Sequence, residues 1–139
     1  MPGRGSDSEV VAALAASKVR AIRTALIALH KALLDAERTR YGRVHGPIGN
    51  PHQALQLVLR DPWFAWLRPI SELIVQADER LADDRPVRVE EADAYTTQVL
   101  GLLQHDLGGP DFKREYHRSL QETPDVVVAH SKVVTFAAK

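Results

Sequence analysis

Residues 19–36, VRAIRTALIALHKALLDA, carry the apolar pattern that decides the fold of this chain. Apolar side chains recur there at alternating steps of three and four residues, the seam of a helix packed lengthwise against others at a shallow angle. The seam consists of Val19, Ile22, Leu26, Leu29, Leu33 and Ala36. Leu14, Ile27 and Leu34 are expected to widen it to the breadth that a core helix of a bundle needs.

The predicted helix extends in both directions from this seam. No glycine or proline interrupts residues 6–41, and the side chains of Ser6, Asp7 and Ser8 offer N-cap oxygens at its start. The glycines and proline of residues 42–49 indicate a turn, so we predict that the helix ends at Tyr41. Residues 1–7 are predicted to be a disordered tail.

Two N-cap signals predict the next helices. Asn50-Pro51 and Asp61-Pro62 each place a capping side chain before a proline at the first helical position. The second of these helices contains Trp63-Phe64-Ala65-Trp66. Pro69 further along predicts a kink in it, unless the stretch before the proline is a separate turn. Because aromatic side chains bury large areas, we expect this cluster to form an elbow between the two helices, packed against the first helix.

Three more helices are predicted in the rest of the chain. They cover residues 89–106, a segment capped by Asp111, and a segment that begins at Thr123-Pro124. The valine-rich residues 124–130 would also suit a strand, but a single strand would find no partner elsewhere in the chain. As a helix, this segment is expected to turn inward Val127, His130, Val134 and Ala137.

Length and pattern together indicate one all-α domain. A chain of 139 residues can bury a sufficient core without a disulfide or metal to stabilise it. We therefore predict a four-helix-type bundle over residues 8–139, with a long first helix and short additional helices.

Composition excludes several classes of function. The chain has no cysteine, which excludes thiol catalysis and thiolate metal sites. Its formal net charge of zero provides no strong global field, which argues against nucleic acid as a partner. The sequence shows no apolar run long enough for a signal peptide or a membrane span, so we expect a cytoplasmic protein without membrane contact.

Three polar residues border the seam on the first helix. Arg23, His30 and Glu37 recur every seven residues, so they share one stripe that could line a pocket or form an ordinary salt-bridging flank. Apolar neighbours should partly desolvate His30, which would lower its pKa and keep the imidazole neutral. A neutral imidazole can bind a metal, act as a base or serve a structural role.

His130 is the second histidine of interest. Together with His30 it could supply axial ligands to a noncovalent haem held between helices. Covalent haem attachment needs cysteine and is excluded. The Glu-x-x-His pattern of di-iron bundles and the His-Glu-x-x-His pattern of zinc proteases are both absent from the sequence, which gives no support to those metal sites.

Arg68 and Glu72 lie four residues apart beside the aromatic cluster. If Arg68 stacked on Trp63 or Trp66, its guanidinium could still bind a carboxylate or phosphate and form a pocket for a small organic anion. The alternative is an ordinary surface ion pair between Arg68 and Glu72, which would contribute little to stability.

No catalytic motif is present, so we expect a non-enzymatic interaction or regulatory protein. The first helix is about twice as long as the others and would leave residues 10–19 uncovered in one subunit, which predicts a homodimer. One alternative is a bundle that binds haem, a metal or a small organic anion near His30, Glu37, Arg68, Glu72 and His130. A second alternative is a cofactorless enzyme in which Glu37 orients His30 as the base.

Three stretches carry a resemblance to other proteins: residues 29–38, residues 61–79 and residues 124–130. Together they resemble a group of short, uncharacterised bacterial helical proteins, some of which carry the label of Gre-type transcription elongation factors. Gre-type factors combine a helical hairpin that has acidic residues at its tip with a β-rich domain. This chain has neither paired acids in its first turn nor a predicted β-domain, so no Gre functional residue is transferred to it.

Overall fold

The computed structural model describes residues 2–139, and the side chains of residues 7–139. Within this part of the chain, six α-helices and one 3₁₀ helix follow one another and no strand occurs. They are α1 (Pro2–His45), α2 (Pro51–Arg60), the 3₁₀ helix (Pro62–Leu67), α3 (Arg68–Ala82), α4 (Val89–Gln104), α5 (Gly109–Glu122) and α6 (Pro124–Ala138). None of these helices combines the length and the apolar character needed to cross a bilayer.

α1 is the helix around which the bundle packs. α3, α4 and α6 all lie against it, while α2 packs on the 3₁₀ helix and α5 packs on α6 and the 3₁₀ helix. The buried line of α1 contains five of the six predicted seam residues: Val19, Ile22, Leu26, Leu29 and Leu33. The predicted all-α bundle, with a long first helix and short additional helices, is therefore confirmed.

The core-facing line of α1 departs from the predicted seam at its C-terminal end and in the flanking residues. At its far end Ala36 is only half-buried, and Glu37 takes the buried position. A straight helix drifts by roughly 20° per heptad relative to a strict seven-residue repeat, which moves the buried line from position 36 to position 37. The prediction that Leu14 and Ile27 widen the core is wrong, since both are exposed.

α1 also ends later than predicted. It continues beyond Tyr41 to His45, and Gly42 lies inside it in open space. A single glycine in a helix costs only about 1 kcal/mol, which the surrounding packing outweighs. The chain turns instead at Gly46, whose φ of 88° suits glycine.

At its N-terminal end, α1 begins at Pro2 and so overlaps the predicted disordered tail of residues 1–7. Met1 lies outside the described residues, and the tail stays a prediction.

The aromatic segment divides into two helices where a single kinked helix was predicted. Asp61 caps the 3₁₀ helix through a hydrogen bond from the Trp63 N–H to its side chain, and α3 begins at Arg68. Pro69 therefore lies in the first turn of α3, where its missing N–H is not needed. The predicted elbow is present, because Trp63 contacts Tyr41 of α1 and Phe64 is buried in the core.

α6 is a helix, as predicted, but its buried face differs from the predicted one. The residues that face the core are Val126, Ala129, Val133 and Ala137. Three of the four predicted positions, Val127, His130 and Val134, are wrong by one residue. Val127 is exposed, while His130 and Val134 lie half-buried at the edge of the helix. His130 is consequently a flanking residue whose side chain can contact α5.

Arg80 joins the end of α3 to the start of α4. Its guanidinium donates to both carboxylate oxygens of Glu91, at 2.5 and 3.0 Å, and to the backbone carbonyls of Arg85 and Pro86. The hydrogen bond from Arg80 lowers the pKa of Glu91 to about 2. The α3–α4 connection is thus held by charge-assisted hydrogen bonds.

Candidate functional site

The three residues of the predicted polar stripe on α1 have three different surroundings. Arg23 pairs with Asp78 of α3, at 2.5 Å between Nε and Oδ1. His30 lines a cleft formed with α2, the 3₁₀ helix and α3. Glu37 turns toward α5. The stripe therefore does not line one shared pocket.

Glu37 is the centre of a buried ion cluster. Its carboxylate is only 1% exposed, and its Oε1 accepts a hydrogen bond from Nη2 of Arg118 at 2.5 Å. Arg118 also donates to Glu115 at 2.9 Å and to Glu122 at 3.0 Å. Burial alone would lower the pKa of Arg118, but its hydrogen bonds to Glu37 and Glu115 outweigh this effect and raise it. The cluster fixes α5 to α1.

The other oxygen of Glu37 has no hydrogen-bond partner among the described residues. Nη1 of Arg40 stands 3.9 Å from this Oε2 atom. Sequence reasoning missed Arg118, although Glu115, Arg118 and Glu122 have the i,i+3 and i,i+4 spacing of charge pairs on one helix. That spacing does not reveal a further partner on α1.

A polar cleft of about 600 Å³ lies beside this cluster. Side chains of both charges line it, among them Arg40, Arg43, Arg118, Glu122 and Asp125. Arg118 and Glu122 already pair with each other. Because both cations and anions line it, the cleft has no clear preference for a ligand of one sign.

The two tryptophans lie in an aromatic layer between α1 and α5. The guanidinium of Arg40 stands 4.6 Å from the ring centre of Trp63, the position that the sequence suggested for Arg68. Trp66 packs on Phe112 with ring centres 5.7 Å apart. Both indole N–H groups are buried and have no acceptor among the described residues. The tryptophans hold the elbow against the bundle, and Arg40 supplies the cation–π contact.

His130 forms a short hydrogen bond with Tyr116 of α5, at 2.6 Å between Nδ1 and the hydroxyl oxygen. Burial lowers the pKa of His130 and raises that of Tyr116. A neutral imidazole and a protonated phenol result, and the tautomer of the ring sets which of the two groups donates. In either tautomer Nδ1 is occupied by this hydrogen bond.

The structure does not bring the predicted haem ligands or catalytic pair together. The cleft beside His30 is lined by α1, α2, the 3₁₀ helix and α3, whereas His130 bonds to α5. Glu37, the expected orienting group for His30, bonds to Arg118 instead. Within the described part of the chain, no group of three or more His, Asp or Glu side chains could hold a metal ion.

The cleft beside His30, called here the His30 cleft, has a volume of about 430 Å³. Apolar side chains form much of its lining, including Leu34, Phe64 and Leu67. His30 is half-buried, and this burial lowers its pKa, so its ring is neutral near pH 7. Two cations also line the cleft, Arg60 and the predicted Arg68. Arg60 was missed because nothing in its local sequence shows that the end of α2 faces α1.

Arg68 and Glu72 do not form the predicted ion pair. Both are exposed, and no salt bridge joins them. Arg68 lines the His30 cleft, whereas Glu72 lies in a shallow depression with Val75 and Glu79. Of the two residues, only Arg68 belongs to the cleft.

A largely apolar groove of about 580 Å³ lies near the start of α1. Leu14 is 65% exposed there and Val11 46%, beside Val89 of α4 and Phe136 of α6. We call these four residues the α1 apolar surface. The prediction that residues 10–19 are uncovered holds for Val10, Val11 and Leu14, whereas Ala15 and Val19 are buried.

No protein-family model, curated protein or solved structure matches this chain. The resemblance to the group of short bacterial helical proteins stays a prediction.

Proposed function

We propose that this protein is a cytoplasmic, non-enzymatic interaction module that acts as a homodimer through the α1 apolar surface. The observation that supports this proposal is the exposure of Val11 and Leu14 beside Val89 and Phe136. Contiguous exposed apolar side chains are costly in water and commonly mark an interaction site. Covering them with a second subunit removes that cost.

The spacing of residues on this face of α1 suits a second copy of the same helix. Asp7, Val11, Leu14, Lys18 and Ala21 follow one another at alternating steps of four and three residues. This spacing is typical of a coiled coil, and these five residues form a second line on α1 beside the one that packs inside the subunit. The second line is therefore positioned to contact a helix of another subunit.

An antiparallel pairing of two copies makes this second line complementary to itself. With the twofold axis between Ala12 and Ala13, Val11 of each subunit faces Leu14 of the other, and Asp7 faces Lys18. Neither Asp7 nor Lys18 has a salt-bridge partner among the described residues, so both charges are available for this pairing.

Sedimentation velocity over a range of protein concentrations tests the proposal. We expect reversible dimerisation with a dissociation constant on the order of micromolar, since the apolar gain must exceed the entropy cost of association. Leu14→Glu should give a monomer at every concentration, because dimerisation would bury two unpaired carboxylates. Ile27→Glu is the matched control, because Ile27 is also exposed on α1 but lies outside the α1 apolar surface.

A charge exchange tests the antiparallel register. Lys18→Glu alone would place like charges opposite each other and weaken the dimer, and Asp7→Lys alone would do the same. The double variant Asp7→Lys/Lys18→Glu should restore dimerisation. A wild-type protein that stays monomeric at all concentrations by light scattering would contradict the homodimer, and failure of the double variant to recover would contradict this register.

A further inference from the structure

The His30 cleft combines an apolar lining with two cations that have no internal partner. Arg60 and Arg68 are exposed at the cleft, and neither has a carboxylate within 4.0 Å among the described residues. In contrast, Arg23, Arg80 and Arg118 each pair closely with an acid. Two unpaired guanidinium groups beside one cavity provide donors that an anion can occupy.

The other polar groups at the cleft reduce this positive charge without cancelling it, since one acid stands against two guanidinium groups. Asp61 is the one acid in its lining, and its Oδ1 atom already accepts a hydrogen bond from the Trp63 N–H at 2.9 Å. The hydroxyl of Ser71 donates to the carbonyl of Arg68 at 3.0 Å, which leaves its oxygen free to accept. The imidazole of His30 has no hydrogen-bond partner within the described chain and can donate through its ring N–H.

The inner part of the cleft suits an apolar group. Leu34 of α1 and Phe64 and Leu67 of the 3₁₀ helix provide its lining. A volume of about 430 Å³ lies within the size range of small-molecule sites, which are typically apolar clefts with a few polar groups that orient the ligand. We propose that the His30 cleft binds a small organic anion whose apolar body packs on Leu34, Phe64 and Leu67 while its phosphate or carboxylate head contacts Arg60 and Arg68.

This site is separate from the proposed dimer surface. The His30 cleft and the α1 apolar surface share no lining residue. Anion binding can therefore be measured on the monomeric variant Leu14→Glu, where it should equal that of the wild-type protein. Absence of a dimer would not contradict anion binding in the His30 cleft, and absence of anion binding would not contradict the dimer.

Phenyl phosphate, benzoate and inorganic phosphate are suitable probes for calorimetric titration. We expect phenyl phosphate or benzoate to bind with a dissociation constant on the order of a millimolar or tighter, as ligands of this size allow. Inorganic phosphate should bind about fivefold more weakly than phenyl phosphate, since it lacks the apolar body. The tighter of the two aromatic probes identifies the preferred head group. Absence of saturable binding for both would overturn the proposal, as would equal affinity for phenyl phosphate and inorganic phosphate.

Substitutions locate the binding site. Arg60→Gln and Arg68→Gln should each weaken binding of the aromatic anion about fivefold, a modest loss because both side chains are exposed and screened by water. Arg38→Gln is the matched control, because Arg38 is also exposed and has no acidic partner among residues 7–139, but lies outside the cleft. In amide NMR spectra, Ala65 and Ser71 should shift on titration and Phe136 should not. An equal loss in Arg38→Gln and Arg68→Gln would show nonspecific charge attraction and overturn the proposal.

Discussion

At the scale of single residues, Glu37 shows how one buried charge constrains its neighbours. A carboxylate removed from water is tolerated only when cations and hydrogen bonds compensate it. Glu37 meets this requirement mainly through Arg118, a residue 81 positions away in the chain. Its second oxygen is left without a hydrogen bond, so the compensation is incomplete. The cluster should therefore be sensitive to the loss of Arg118.

Arg118→Ala should lower the free energy of unfolding by about 3 kcal/mol, because it leaves the buried carboxylate of Glu37 without its partner. The double variant Glu37→Met/Arg118→Met should recover much of this loss, since two apolar side chains replace both charges. Urea denaturation measures both values. Arg114→Ala is the control on the same helix. Arg114 is exposed, so we expect a change of no more than about 0.5 kcal/mol. Similar losses in Arg114→Ala and Arg118→Ala would contradict this account.

The two half-buried histidines predict a dependence of stability on pH. Burial lowers the pKa of both His30 and His130 below 6.5, so the unfolded chain takes up protons at pH values where the folded chain does not. The contribution of these two neutral histidines to the free energy of unfolding should therefore be fully present above pH 6.5. It should fall as the pH decreases toward the lowered pKa values. Denaturation across this range should show a shallower dependence in His30→Gln and in His130→Gln. An unchanged pH dependence in both variants would refute the assignment.

At the scale of helices, local capping signals determined where several elements begin. Asn50 accepts a hydrogen bond from the Gln53 N–H at 2.9 Å, and the Gln53 side chain accepts from the Asn50 N–H at 3.2 Å. This reciprocal pair lies within four residues, so the sequence alone predicted the start of α2 correctly. The same kind of local signal, Asp61-Pro62, correctly placed the start of the aromatic segment.

Asn50→Ala should lower the free energy of unfolding by about 1 kcal/mol, because the Gln53 N–H at the start of α2 loses its acceptor. Asn50→Ser is the matched control and should cost less, since serine also caps helices well. Thermal unfolding followed by circular dichroism measures both. Equal losses for the two substitutions would mean that the cap contributes nothing specific.

Helix faces were less predictable than helix starts. Near its start, α6 contains three consecutive valines, Val126 to Val128, so its sequence permits two neighbouring apolar faces. The one that is buried depends on how α6 lies against α1 and α4. The predicted kink at Pro69 is wrong for a related reason: a proline pattern fits a kinked helix and the start of a new one equally well, and the packing of the aromatic elbow selects the second.

At the scale of the whole molecule, the length of α1 produces the proposed dimer surface. α1 spans 44 residues, whereas the three helices that pack along it span 15 or 16. The shorter helices leave part of its surface uncovered, including Val11 and Leu14. If two copies pair there, mass action requires that thermal stability rise with protein concentration in the wild type and not in Leu14→Glu.

The sequence by itself determined the all-α class, the long first helix with its seam from Val19 to Leu33, and the caps Asn50 and Asp61 that start the next two helices. These features depend on contacts within one or two turns of chain, which local spacing reveals. Only the tertiary structure decided that Arg118 meets Glu37, that Arg60 and Arg68 share the cleft of His30, and that His130 turns to Tyr116. Each of these pairings joins different helices, and the packing of the whole bundle sets the rotation and alignment that bring them together.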